Sequence, residues 1–146
     1  MFYNNRKKEK IINKDDIKIV THHWSDNPKK GFQTYQDFGN AIKDIEGISF
    51  TYIGRYNNNY SSEGITIIDP KNAKELSNII PEFDIYLTAS ELEAGANHVL
   101  EGIAAGLPVL YKVNGGSINE YCFNYGIEYY DIDSLKDSLN SCIRNY

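Results

Sequence analysis

The chain has 146 residues, a net charge of −5, and 41% hydrophobic and 24% charged residues, enough for one domain that buries roughly 70% of its unfolded surface. Beyond the amino end its lysines and arginines are scattered, which excludes the basic face of a dedicated nucleic-acid binder. No run reaches the ~18 apolar residues of a membrane span. The N-terminus lacks the apolar core of a signal peptide, and Cys122 and Cys142 have no metal-ligand spacing, so the composition reads as a reduced, cytoplasmic protein.

In chain order, residues 1–16 are polar and basic and read as a linker or tail, and residues 17–146 as the folded domain. A first strand is expected over residues 17–21, ending in His22-His23-Trp24. Phe32, Tyr35, Phe38, Ile42 and Ile45 then recur at three- and four-residue steps, an amphipathic helix that Gly47 is expected to terminate. Strands follow at residues 49–53 and 65–68, separated by a polar stretch without periodicity. A short helix over residues 72–80 leads to a fourth strand at 85–88, a small-residue helix carrying Glu101 that ends at Gly106, and a fifth strand from Val109. Residues 118–125 read as a helix and 128–130 as a short strand. Asp133 is expected to cap a last helix with Leu135, Leu139, Cys142 and Ile143 on its buried stripe.

Alternating strands and helices without an internal repeat predict a Rossmann-like, doubly wound α/β fold. The expected parallel sheet has about six strands with helices on both faces. In the order 3-2-1-4-5-6, ligands bind outside the carboxyl ends of strands one and four. The two chemically distinctive loops follow those strands: residues 22–31, and residues 90–97 with their glutamate and glycine. Topology and composition point to the same cleft.

The second of these loops joins a strand to a helix through a glycine-bearing turn, so free N–H groups and the positive end of the helix dipole favour an anion. Carboxylates beside such a site repel phosphate and suit hydroxyls. A ligand carrying both phosphate and many hydroxyls is a nucleotide sugar.

Glu93, seven residues, Glu101 and then Gly106-Leu107-Pro108-Val109, with Ser90 in front, resemble the donor-binding signature of the retaining GT-B glycosyltransferases, family 4 in particular. The resemblance runs from about Ile17 to the C-terminus. It implies the C-terminal half of a GT-B fold, with a nucleotide-diphosphate sugar as donor substrate, no further cofactor and no bound metal. It also implies transfer of a hexose-type sugar with retention, onto an acceptor held by an N-terminal domain or partner chain for which this sequence has no room. The isolated domain is therefore expected to transfer sugar poorly or not at all.

Residue by residue, the resemblance gives Glu101 the ribose hydroxyls and Glu93 the catalytic place beside the donor sugar. Gly95, Ala96 and Asn97 present backbone N–H groups to the diphosphate or sugar. Lys30, with Gly31, matches the Lys-Gly whose lysine meets the diphosphate, although Ser25 stands where the family usually carries an arginine. Gly54 and Arg55 match the approach of base and ribose, with Arg55 equally readable as a surface cation. Gly115 and Gly116 match a Gly-Gly turn beside the diphosphate, and also suit turn geometry alone. His22 and His23 lack a third ligand at useful spacing, which argues against metal. His98 reads as a packed or solvated residue.

Three other readings remain open: a non-catalytic nucleotide-sugar-binding module or subunit of a split enzyme, an epimerase of the same architecture, and a response regulator. The last is weakened by its incomplete acidic cluster around Asp69.

Overall fold

The computed structural model describes residues 15–91, 97–113 and 126–144. Within them, six strands form one all-parallel sheet in the order β3-β2-β1-β4-β5-β6. The strands are β1 Ile17–His23, β2 Ile48–Gly54, β3 Ile65–Ile68, β4 Ile85–Thr88, β5 Val109–Lys112 and β6 Gly126–Tyr129. This is the expected strand order. β1 sits at the centre and is buried along nearly its whole length, as a strand covered by helices on both faces must be.

Successive side chains on the strands point to opposite faces, and the core divides accordingly. Ile19, Phe50, Leu87 and Leu110 pack under α1 (Phe32–Ile42) and α4 (Ile132–Arg144). Val20, Ile53, Tyr86 and Val109 pack on the other face with Leu76 of α2 (Ala73–Ile79) and Ala105, just beyond α3 (Asn97–Ala104). Each fully buried aliphatic or aromatic side chain contributes about 1.5–3 kcal/mol relative to exposure.

Local chemistry sets the helix starts. Asn72 accepts from the Glu75 backbone N–H at 2.8 Å, while the Glu75 carboxylate accepts from the Asn72 N–H at 3.1 Å, a reciprocal cap that opens α2. Strand ends differ from the sequence expectation by one or two residues, β1 running on to His23, β2 spanning Ile48–Gly54 and β6 starting at Gly126, and two helix boundaries differ for a physical reason. The first helix stops at Ile42, and Ile45 lies beyond it, 49% exposed. Its N–H bonds Ile42 C=O at 2.9 Å in a turn, because the chain must reverse there so that Gly47 C=O can accept from Ile17 N–H at 2.6 Å and align β2 with β1. The last helix is capped by Asp131 and not Asp133. The Asp131 carboxylate accepts from Ser134 N–H at 2.8 Å, and Ser134 Oγ accepts from Asp131 N–H at 3.0 Å. Leu135, Leu139 and Cys142 form the expected buried stripe, joined by Ser138, with Ile143 partly buried. The helix expected over residues 118–125, and Cys122 within it, lie outside the described residues. No helix among the described residues is long and apolar enough to cross a membrane.

Candidate functional site

The carboxyl ends of β1 and β2, the segment after β3, α2 and the start of α3 line a cleft of about 300 Å³. Its position follows from the sheet order: β1 has β2 on one side and β4 on the other, so their following segments diverge there and leave a crevice.

The loop after β1 supplies one wall. Pro28–Lys30 forms a single 3-10 turn whose first N–H groups are organised by Asn27: its side chain accepts from Lys29 N–H at 2.9 Å. Gly31 closes this turn at φ 98° and opens α1. A side chain there would collide with Ala89 at the end of β4, so glycine lets the two loops touch. Lys30 thereby reaches the cleft. Gly54, at φ 137°, is the second such position: a Cβ would overlap the His23 carbonyl. Glycine here keeps the end of β2 against the end of β1.

The floor is a buried polar network. The Tyr35 hydroxyl accepts from Ala89 N–H at 3.1 Å and lies 2.6 Å from His23 Nε2. The Tyr129 hydroxyl donates to Thr88 C=O at 2.7 Å, fixing the end of β4 from the far side. His98, on the first turn of α3, places Nε2 3.1 Å from Thr88 Oγ1, and its ring lies 4.6 Å from that of His23. Burial, then the His98 and His22 imidazoles and the Lys30 ammonium, holds His23 well below the usual histidine range. Burial, then His22 and Lys30, does the same to His98. Both rings are therefore neutral near pH 7.

Glu101 lies one turn into α3 and borders the cleft with 24% of its side chain exposed. Its Oε2 is shielded from solvent, has no hydrogen-bond partner among the described residues, and approaches His22 Nε2 at 3.4 Å. A buried carboxylate oxygen without a partner is costly, on the order of 1–3 kcal/mol or more. The group is thus poised to accept a donor. Among the described residues no group of three or more His, Cys, Asp or Glu has the arrangement of a metal site.

Of the residues singled out in the sequence, Lys30 and Glu101 therefore meet at this cleft. Asn97 is the first residue of α3. Arg55 follows β2, with its guanidinium stacked 4.8 Å from the centroid of the Trp24 ring, itself 64% exposed at the cleft wall. Glu93, Gly95, Ala96, Gly115 and Gly116 lie outside the described residues. Two contributors, Lys71 and His98, were missed by sequence reasoning, while Trp24 lies in the loop after β1 that was expected at the cleft. Lys71 borders the cleft from the segment after β3, which the strand order alone brings to the same sheet end. Trp24 forms part of the wall, and His98 belongs to the floor.

No protein-family model matches the chain, and no curated protein matches it. Solved structures do. WaaG, a glycosyltransferase involved in lipopolysaccharide biosynthesis, superimposes with a TM-score of 0.72 over 91% of this chain and 39% of its own, at 18% identity. The C-terminal domain of the group 1 glycosyltransferase LpcC from Francisella tularensis matches over 98% of this chain and 85% of its own, with a TM-score of 0.65 and 18% identity. The fold is that of a GT-B glycosyltransferase domain. Anabaena HepE, crystallised with UDP-glucose, shares this GT-B architecture at a TM-score of 0.69 and 13% identity, over 90% of this chain and 40% of its own. The chain spans about two fifths of the length of WaaG and HepE.

Proposed function

We propose that this chain is the donor-binding half of a glycosyltransferase and seats a nucleotide-diphosphate sugar in the cleft at the ends of β1 and β2 and the start of α3. The observation that carries the reading is the Glu101 carboxylate, a quarter of its side chain exposed, at a cleft whose lining also includes Lys30. A carboxylate accepts hydroxyls and an ammonium attracts phosphate, and a nucleotide sugar offers both. The UDP-glucose complex of HepE, which has the same fold, supports this class of ligand.

In this reading Glu101 accepts the ribose hydroxyls and Lys30 and Lys71 face the diphosphate. As the bond to the sugar breaks, the leaving diphosphate gains charge that fixed cations stabilise. Glu93 orients the donor sugar, the sugar is of hexose type, and its configuration is retained. The acceptor comes from an N-terminal domain or partner chain, and the protein works in the cytoplasm without bound metal. A non-catalytic nucleotide-sugar-binding module, or the donor subunit of a split enzyme, would use the same cleft.

Calorimetric titration with a panel of nucleotide diphosphates and nucleotide sugars tests the reading. The wild-type chain should bind at least one, and Glu101→Ala should weaken that binding about tenfold or more, the value of a hydrogen bond to a charged group. A folded chain that binds none of them defeats the proposal.

A further inference from the structure

We propose that His22 is a positioning residue for Glu101, held in its Nε2–H tautomer by the buried hydroxyl of Tyr86. The inference rests on the donor-site reading above and deepens it: it names what aims the carboxylate at ribose.

The geometry begins with Tyr86, on the central part of β4 and fully buried. Its hydroxyl lies 2.8 Å from His22 Nδ1 and 3.3 Å from the His22 backbone nitrogen. The backbone N–H can only donate, so it occupies a lone pair of the phenol oxygen. The hydroxyl proton then goes to an acceptor, and Nδ1 at 2.8 Å lies much nearer than the His22 carbonyl oxygen at 3.5 Å. An imidazole that accepts at Nδ1 carries its proton at Nε2 when neutral. Nε2 is the atom that faces Glu101 Oε2 at 3.4 Å. Among the described residues that oxygen has no other partner, and the contact is short of an aligned hydrogen bond. A small rotation of the carboxylate closes it, as when ligand binding tightens a loosely aligned contact.

The placement is built into the fold. His22 is the penultimate residue of β1, paired in register with Ile53 of β2, and its side chain is only 8% exposed. Gly102, next to Glu101, sits so close to the Tyr86 ring that a Cβ there would come within 2.7 Å of it. The backbone of α3 is thus pressed onto the same tyrosine that orients His22. One residue therefore fixes both partners: Tyr86 sets the tautomer of the imidazole and the height of the helix carrying the carboxylate. With Oε2 held inside by His22, the remainder of the carboxylate is presented to the cleft as an acceptor, the way an orienting partner fixes a working group elsewhere.

The test compares UDP, ADP and GDP with their 2′-deoxy and 3′-deoxy counterparts by calorimetry, alongside ¹⁵N NMR of the histidine side chains in the unliganded chain. The NMR should show His22 as the Nε2–H tautomer. Wild type should prefer the ribonucleotide that it binds by about tenfold over a deoxy form. His22→Asn, which can reach Tyr86 but not Glu101, should bring that ratio close to one, as Glu101→Ala does. His22→Gln, whose amide nitrogen takes the place of Nε2, should restore the preference, a rescue that a purely structural role would not give. An Nδ1–H tautomer overturns the proposal, and so does full discrimination in a folded His22→Asn beside its loss in Glu101→Ala. In both cases the donor-site reading stands. Absence of nucleotide binding by wild type instead overturns that reading, and the proposal with it.

Discussion

Gly31 and Ala89 meet where the loop after β1 crosses the end of β4, so closely that no side chain fits on Gly31 without displacing the Ala89 backbone. Gly31 also holds φ at 98°, a conformation that other residues adopt only with strain. Gly31→Ala should therefore lower stability by about 1–3 kcal/mol, read as a fall in the urea midpoint at unchanged slope. Gln33→Ala, two residues on and exposed, is the matched control and should stay within about 0.5 kcal/mol of wild type. Equal midpoints for Gly31→Ala and wild type would show that the two loops separate at little cost.

The caps make a second prediction, because two aspartates compete for one role. Asp131 accepts from Ser134 N–H, whereas Asp133 sits inside the first turn of α4. Asp131→Ala should cost about 0.5–2 kcal/mol, the usual value of a side-chain cap. Asp133→Ala should cost less, about 0.3–1 kcal/mol, since only its favourable place near the helix dipole is lost. Thermal unfolding of the two variants ranks them, and the reverse order would restore the assignment read from sequence.

That assignment shows what local sequence resolves and what it leaves open. The strand order and the bounds of β3 and β4 were legible, because a buried parallel strand is a short apolar run between turn residues. The cap was misplaced because two acidic residues, Asp131 and Asp133, both precede an apolar stripe, and only backbone geometry chooses between them. Ile45 kept the helical spacing past the end of α1 because a turn leaves the spacing intact while redirecting the side chain to solvent. At the site, Lys30 and Glu101 carried signals in their own loops. His98 carried none: its place comes from the packing of α3 against the end of β1, which is far from it in sequence. Lys71 was likewise assigned by tertiary position alone, whereas Trp24 sits in the loop after β1 that the strand order already brought to the cleft.

The neutral histidines of the floor predict a pH dependence. His23 and His98 are held below the ordinary value of 6.5, first by burial and then by neighbouring imidazoles and Lys30. Their folded-state affinity for protons is lower than in the unfolded chain. Below pH 6.5 the unfolded state thus binds more protons, and stability falls. The contribution is complete above the unfolded value and is lost as pH drops towards the folded one, by up to about 1.4 kcal/mol per pH unit for each group. Urea midpoints should be lower at pH 5.5 than at pH 7.5, and His23→Gln should flatten that difference. A variant with the wild-type slope would remove His23 from the account.

Cys142 gives a fourth prediction. Burial pushes its thiol up to about 11, so the nucleophilic thiolate is scarce at neutral pH and lies within the core beneath α4. In a Cys122→Ser background, an aromatic disulfide reagent should label Cys142 only as fast as the domain opens, and at once in denaturant. Rapid labelling of the native chain would mean that α4 is not held against the sheet.

Trp24 and Arg55 carry the last prediction. Trp24 is the single tryptophan of the sequence and stands at the cleft wall, so its emission reports on the cleft. A bound nucleotide diphosphate should change that emission in proportion to the calorimetric occupancy. Arg55 offers its guanidinium to the indole ring at 4.8 Å, an exposed cation–π contact worth about 0.5–1 kcal/mol. If Arg55 acts on the ligand only by steadying Trp24, Arg55→Ala shifts the emission of the unliganded chain and weakens nucleotide binding by about two- to fivefold, the equivalent of that contact. Lys30→Ala removes a charge from the cleft wall and should weaken binding more, by about tenfold or beyond. Losses of equal size would mean that Arg55 touches the phosphates itself, taking the part of the arginine whose usual place Ser25 occupies.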